Sequence, residues 1–136
     1  MTTSITYEGQ LRCMAVHNQS QTQLETDAPT DNKGKGERFS PTDLVCTALG
    51  TCILTTMAIR ANDMGIELKG TTVDVQKHMS TEPPRRIVKI DLSVYFPASH
   101  FEEKDMATLE RIGNNCPVAK SIHPDIVQDI KYVWGQ

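Results

Sequence analysis

The stretch FSPTDLVCTALGTCILTTM, residues 39–57, decides the predicted fold because it opens a long helix. Ser40 can cap the first turn, Pro41 has its φ preset to a helical value, and Asp43 adds an acid near the positive end of the helix. No breaker follows until Gly65, so we predict a helix of about 24 residues that ends at Met64.

This predicted helix is apolar on every side. Its apolar side chains spread around the whole helical wheel: Leu44, Val45, Cys46, Ala48, Leu49, Cys52, Ile53, Leu54, Met57, Ala58 and Ile59. A helix that is apolar all round must be buried all round. One sheet of a chain of 136 residues covers only one side of it, so we expect a second copy to cover the other. The packing alone predicts a homodimer.

The rest of the chain alternates between strand patterns and two shorter helices. A period of two predicts strands, and apolar spacing behind an acidic first turn predicts a helix over Phe101–Gly113. Cys116 before Pro117 predicts a short helix that reaches about Ile122. The predicted strands are Ile5–Val16, Thr22–Thr26, Leu68–Met79, Val88–Phe96 and Ile126–Trp134. This order is typical of an α+β fold with hairpins.

Composition excludes several classes of protein. The length fits one domain over residues 1–136, and a net charge of -3 gives no reason to bind nucleic acid or an anionic membrane. The N-terminus MTTSITYEGQLR is unlike a signal peptide, and Leu44–Ile59 is shorter than the about 20 apolar residues that span a bilayer. We expect a cytoplasmic protein. The cysteines and histidines lack zinc-ligand spacing, so we expect no structural zinc site.

Cys116 is predicted at a helix N-terminus. Unpaired backbone N–H groups and the positive end of the helix dipole favour a thiolate there, so this cysteine could be reactive. The alternative is that a small side chain was needed at a cap position. The sequence of this segment leaves both interpretations open.

Cys52 lies about three turns inside the long helix, where burial should raise the pKa of its thiol. It is expected to become nucleophilic only if a cation reaches it, and the candidates are Arg12, Arg38 and Arg60. Cys46 is six residues away, which turns the two side chains about 120° apart on a helix. A disulfide partner for Cys52 would therefore have to be Cys13 or Cys116.

Three segments together resemble the family of osmotically inducible protein C and the organic hydroperoxide resistance protein. They are SPTDLVCTALGTC at residues 40–52, GIELKGTTVDVQKHM at 65–79 and NNCPVAKSI at 114–122. The resemblance implies antiparallel sheets packed around a long central helix in an intertwined homodimer, with two active sites at the subunit interface.

The resemblance also implies a chemistry that needs no metal, no flavin and no other cofactor. In that family a cysteine on the central helix attacks a hydroperoxide, and a second cysteine in a C-P motif resolves the product; these positions correspond to Cys52 and Cys116. An external dithiol, such as a lipoyl group, would reduce the resulting disulfide. Cys13 and Cys46 have no role in this pattern and are interpreted as packing residues.

Active members of that family also use an arginine that stabilises the thiolate and a glutamate that holds the arginine. The arginine corresponds to Arg12 or, as in another branch, to Arg38. The glutamate is missing, because Thr42 follows the helix-starting proline. A hydroxyl cannot neutralise an arginine, so Asp43 or Glu37 would have to replace it.

Two functional hypotheses follow. The first is a thiol peroxidase for organic hydroperoxides, with an apolar substrate pocket around Leu49, Ile53 and Met57. The second is a redox sensor or small-ligand binding protein of the same fold, which the missing glutamate favours. A structural dimer without a redox role is a third possibility.

Overall fold

The computed structural model describes residues 1–135, and its backbone divides into two compact units, one from Met1 to Val45 and one from Cys46 onward. In chain order the elements are β1 (Thr3–Gly9), β2 (Arg12–His17), β3 (Gln23–Asp27), α1 (Pro41–Asp63), β4 (Thr72–Met79), β5 (Ile87–Tyr95), α2 (Glu103–Asn114), α3 (Pro117–Ser121) and β6 (Val127–Val133). Helices and strands are both present, in agreement with the predicted α+β class.

The N-terminal unit carries a three-stranded antiparallel sheet in the order β1, β2, β3. The prediction of one strand over Ile5–Val16 is wrong, because a tight turn at Gln10 and Leu11, both at positive φ, folds this segment into a hairpin. Tyr7 lies opposite Cys13, so residues of odd number stay on one face on both sides of the turn. A period of two therefore continues through the turn and cannot reveal it.

One face of this sheet is apolar and open in the single chain. Ile5 and Tyr7 on β1 pair with Ala15 and Cys13 on β2, and Leu24 on β3 lies opposite Ala15. Ile5 is 66% exposed and Tyr7 is 63% exposed. A row of large apolar side chains in this position is unusual for a surface that faces water alone.

The second unit has a mixed sheet in the order β4, β5, β6. β4 and β5 are antiparallel as predicted, but β6 runs parallel to β5, with Ile130 opposite Leu92. The expectation of purely antiparallel sheets is wrong at this strand. A parallel pair needs a crossover connection, and α2 and α3 provide it.

Helix α1 starts and stops where the sequence predicts. The Ser40 hydroxyl accepts the Asp43 N–H at 3.0 Å, and the Asp43 carboxylate accepts the Ser40 N–H at 2.9 Å, which is a capping box with an aspartate. At the other end Gly65 adopts φ 73°, and the Ile66 N–H donates to the Ala61 carbonyl at 2.8 Å.

Glycine lets α1 approach the sheet of the second unit closely. A Cβ at Gly50 would lie 3.3 Å from Cγ2 of Val75 and 3.7 Å from Cδ2 of Leu92. The core of this unit forms along that contact and includes Leu49, Ile53, Ile90, Leu92, Phe96 and Leu109. Helix α1 is long enough and apolar enough to cross a membrane. Core helices of globular proteins also meet these two criteria.

Candidate active site

The Cys116 thiol sits at the start of α3, as predicted. Cys116 is the N-cap residue, with φ −64° and ψ 158°, and only it and Asn115 separate α2 from α3. Its N–H donates to the Gly113 carbonyl at 3.3 Å, and its carbonyl accepts the Lys120 N–H at 3.1 Å. The residue has no solvent-exposed surface. Cys116 is therefore fixed on both sides by backbone hydrogen bonds.

Cys52 on α1 lies against Cys116, and each thiol shifts the pKa of the other. The Val118 N–H, in the first turn of α3, donates to the Cys52 sulfur. The Thr56 hydroxyl lies 3.8 Å from that sulfur. Cys116 in turn accepts the Ala119 N–H. The start of α3 thus supplies donors to both sulfurs.

These contacts move the two thiol pKa values in opposite directions. Burial alone raises the pKa of Cys52, but the hydrogen bonds from Val118, Thr56 and Cys116 outweigh it and leave the pKa below its ordinary value. Burial raises the pKa of Cys116, the Ala119 N–H opposes this, and the adjacent Cys52 raises it further. Cys52 therefore loses its proton first, while Cys116 stays a thiol that can donate to it.

The sequence led to the expectation of a cation at Cys52, whereas the groups that lower its pKa in the structure are neutral. Neutral donors already favour its thiolate, because hydrogen bonds to the charged form lower a pKa. Thr56 was missed, although it lies four residues after Cys52 and hence on the same helical face. The Val118 N–H belongs to a distant segment, and the sequence holds no signal for its approach.

Arg12 is held by two carboxylates within the N-terminal unit. Its Nε and Nη2 donate to the two oxygens of Asp27 at 2.7 and 2.9 Å, and Nη2 also donates to Glu37 at 2.9 Å. The Glu37 N–H donates to the Asp27 carboxylate at 3.1 Å, and Asp27 is only 2% exposed. This two-point pairing fixes the plane of the guanidinium.

The same pairing shifts both pKa values. The hydrogen bond from Arg12 holds the pKa of Asp27 below its ordinary value despite the opposing effect of burial, and the hydrogen bond to Asp27 raises the pKa of Arg12. Asp27 was missed as a candidate, although it lies opposite Arg12 in the β2–β3 register. Glu37 was one of the two acids that the sequence offered in place of the missing glutamate, and in the structure it forms an ion pair with Arg12.

The other predicted supporting residues have different contacts. Arg38 donates to Glu25 at 3.2 Å and to the Glu37 carbonyl at 3.0 Å. Asp43 forms the cap of α1 described above, and the Thr42 hydroxyl lies 3.2 Å from that of Ser40. These contacts give Thr42 and Asp43 a place in the helix cap.

The predicted substrate pocket does not open in this chain. Leu49, Ile53 and Met57 are 0% exposed and lie in the hydrophobic core, so their side chains present no surface to a ligand. Cys46 is buried in the same core, in agreement with its interpretation as a packing residue. Within residues 1–135, no group of three or more His, Cys, Asp or Glu side chains is placed to hold a metal ion.

Known structures with this fold cover nearly the whole chain. A candidate osmotic stress induced and detoxification response protein from Psychrobacter arcticus is 45% identical, with a TM-score of 0.92 over 97% of this chain and 95% of that one. An organic hydroperoxide resistance protein OsmC from Legionella pneumophila is 15% identical, with a TM-score of 0.72 over 98% and 97% of the two chains. An OsmC like protein from Mycoplasma pneumoniae is 17% identical, with a TM-score of 0.78 over 98% and 96%.

A comparison with curated proteins produced no match. The family model described as OsmC-like protein matches residues 34–131, which include α1, both thiols of the pair and the first five residues of β6. That match covers well over half of the chain, and the Psychrobacter protein extends the similarity to nearly all of it. The chain therefore belongs to the family of OsmC-like proteins.

Proposed function

We propose that this protein is a cysteine-based peroxidase that reduces organic hydroperoxides, with Cys52 as the peroxidatic cysteine and Cys116 as the resolving cysteine. The single observation that carries the proposal is the adjacency of the Cys52 and Cys116 thiols, whose pKa values shift in opposite directions. A low-pKa thiol beside a resolving cysteine is the arrangement that thiol redox chemistry requires. The Legionella protein of the same fold, named for organic hydroperoxide resistance, supports the choice of substrate.

In the first step the Cys52 thiolate attacks one oxygen of the hydroperoxide. The O–O bond breaks, an S–O bond forms, and the alkoxide takes a proton and leaves as an alcohol. Cys52 becomes a sulfenic acid. The Cys116 sulfur then attacks the Cys52 sulfur, and the hydroxyl of the sulfenic acid leaves with the Cys116 proton as water. The resulting disulfide is reduced by an external dithiol, and a lipoyl group has the required chemistry.

Arg12 is the proposed activating residue in addition to the neutral donors. Its guanidinium keeps its charge and its orientation because Asp27 and Glu37 hold it. These two acids take the role of the family's glutamate, whose position is occupied here by Thr42. A guanidinium held in this way can lower the cost of negative charge that develops on a sulfur and on a leaving oxygen.

The proposed assembly is a homodimer. The open apolar face of the β1–β3 sheet, which carries Ile5 and Tyr7, offers a surface that a second copy would cover. Sedimentation at several protein concentrations tests this assembly. Ile5→Glu should shift the equilibrium toward monomer, whereas Thr6→Glu on the opposite face should leave it unchanged. A wild-type protein that sediments as a monomer at all concentrations contradicts it.

The alternative function is a redox sensor or small-ligand binding protein. The burial of Leu49, Ile53 and Met57 favours the redox sensor over the peroxidase, because these side chains present no surface to a hydroperoxide. In that case Cys52 would react slowly with hydroperoxides and its oxidation would not turn over.

Stopped-flow mixing of the reduced protein with cumene hydroperoxide separates the two functions. The peroxidase should consume the peroxide much faster than a free thiol does, and peptide mapping should find a disulfide between Cys52 and Cys116. Cys52→Ser should abolish the fast reaction, and Cys116→Ser should leave one fast oxidation without a disulfide. Cys13→Ser is the matched control and should behave as the wild type. A wild-type rate equal to that of a free thiol, or a fast Cys52→Ser variant, would exclude the peroxidase.

A further inference from the structure

Tyr132 on β6 lies against the segment that delivers Cys116 to the thiol pair. Its hydroxyl donates to the Asn114 side-chain oxygen at 2.8 Å and lies 3.4 Å from the Glu110 carbonyl. Asn114 is the last residue of α2, and only Asn115 separates it from Cys116. A side chain from the sheet therefore fixes the end of the helix that precedes the thiol.

The fit around this hydroxyl is tight. A Cβ at Gly113 would lie 2.7 Å from the Tyr132 oxygen and 3.0 Å from the Met57 sulfur. Gly113 is also the residue whose carbonyl accepts the Cys116 N–H. The Tyr132 hydroxyl thus packs on the backbone unit that holds Cys116, and a shift of one displaces the other.

Tyr132 is itself held in place. Its ring stacks on Phe96 with centroids 6.3 Å apart, and Phe96 in turn stacks on Trp134 with centroids 3.6 Å apart. Burial, with further contributions from Glu110 and Cys116, raises the pKa of Tyr132 above its ordinary value. The phenol therefore keeps its proton and remains a donor while the thiols titrate.

We propose that Tyr132 is a positioning residue for the resolving step, holding the Asn114 to Cys116 segment so that the Cys116 sulfur can reach the oxidised Cys52. This inference rests on the function proposed above. A disulfide requires a sulfur separation of about 2.05 Å and a narrow range of Cα distances, so a small displacement of one segment slows closure strongly. Attack of the Cys52 thiolate on a peroxide needs no such approach of Cys116.

Tyr132→Phe, which keeps the ring and its packing, should change the rates of the two steps to different extents. Peroxide consumption in the first step should stay within about twofold of wild type, whereas disulfide closure should slow about fivefold, as expected for the loss of one hydrogen bond. Because the sulfenic acid then lives longer, a second hydroperoxide should convert more Cys52 to sulfinic acid. Intact-mass analysis of quenched samples follows all three species.

Asn114→Ala removes the other partner of the same hydrogen bond. It should likewise slow disulfide closure and leave the rate of peroxide consumption nearly unchanged. The double variant should be no slower than either single one, because both remove one interaction. Tyr95→Phe, which removes an exposed hydroxyl on β5, is the matched control and should close the disulfide at the wild-type rate. Wild-type closure in Tyr132→Phe, or an equal slowing of both steps, would overturn the proposal.

If the wild-type protein reacts with hydroperoxides no faster than a free thiol, the proposed function is refuted, but the role of Tyr132 is not decided. Diamide oxidises two neighbouring thiols to a disulfide without a peroxide and becomes a hydrazine in the process. Closure by diamide should still be about fivefold slower in Tyr132→Phe than in Tyr95→Phe. Equal rates in the two variants would overturn the inference on this route as well.

Discussion

Gly113→Ala should destabilise the protein, whereas Gly50→Ala, the same substitution on the other long helix, should not. The new methyl at residue 113 would meet the Tyr132 oxygen at 2.7 Å and the Met57 sulfur at 3.0 Å. The phenol oxygen ends a rigid ring that is already hydrogen-bonded, so it cannot move away cheaply. At residue 50 the nearest atom is a Val75 methyl at 3.3 Å, which a small repacking can accommodate.

The magnitudes follow from two opposing effects. Overpacking costs about 1–3 kcal/mol, and replacing a helical glycine with alanine returns up to about 1 kcal/mol. The net cost for Gly113→Ala is about 1–2 kcal/mol, while Gly50→Ala should stay within about 0.5 kcal/mol of wild type. In urea, where the unfolding free energy changes by about 1–3 kcal/mol per molar, Gly113→Ala should lower the midpoint by about 0.5–1 M.

Urea unfolding at one fixed protein concentration measures both variants, because any dimer would make stability depend on concentration. Adding Tyr132→Phe to Gly113→Ala removes the oxygen nearest to the new methyl. The double variant should therefore be less destabilised than the sum of the two single ones, by about 1 kcal/mol. Equal midpoints for the two alanine variants, or strict additivity with Tyr132→Phe, would refute the close packing of Tyr132 on Gly113.

Three further predictions concern the thiol, the arginine pair and the core. The alkylation rate of Cys52 should reach its plateau at a lower pH than that of a free thiol. Thr56→Val removes one donor to the sulfur and should move the inflection of this pH profile to higher pH. An unchanged inflection would show that the Thr56 contact does not affect the pKa of Cys52. The folded-state pKa of Asp27 is depressed, so the stability contributed by its pairing with Arg12 is complete above the ordinary carboxyl pKa and is lost as pH falls through the lowered value. Asp27→Asn should therefore flatten the acid limb of stability against pH in urea titrations, and an unaltered limb would contradict the pairing. Leu109→Ala, at a fully buried site, should cost about 2–5 kcal/mol in thermal unfolding, and a cost below about 1 kcal/mol would argue against its core position.

Several elements could be predicted because their signals are local. The cap at Ser40 and Asp43, the stop at Gly65 and the N-cap position of Cys116 each depend on residues within one helical turn. The hairpin turn at Gln10 and Leu11 could not be predicted from the period of two, because the odd-numbered residues keep the same face on both sides of it. The parallel alignment of β6 depends on how α2 and α3 return the chain, and no residue pattern within β6 encodes it.

The sequence by itself determined the long helix, the N-terminal position of Cys116 on α3 and the burial of Cys46, because backbone propensity and apolar pattern act over short distances. Only the tertiary structure decided which cysteine meets Cys52, which acids hold Arg12, and that Leu49, Ile53 and Met57 are core residues. The pairing of Cys52 with Cys116 arises from packing between α1 and α3, whose residues lie more than fifty positions apart in the chain. Contacts of that kind set the thiol pKa values, and with them the chemistry proposed for this site.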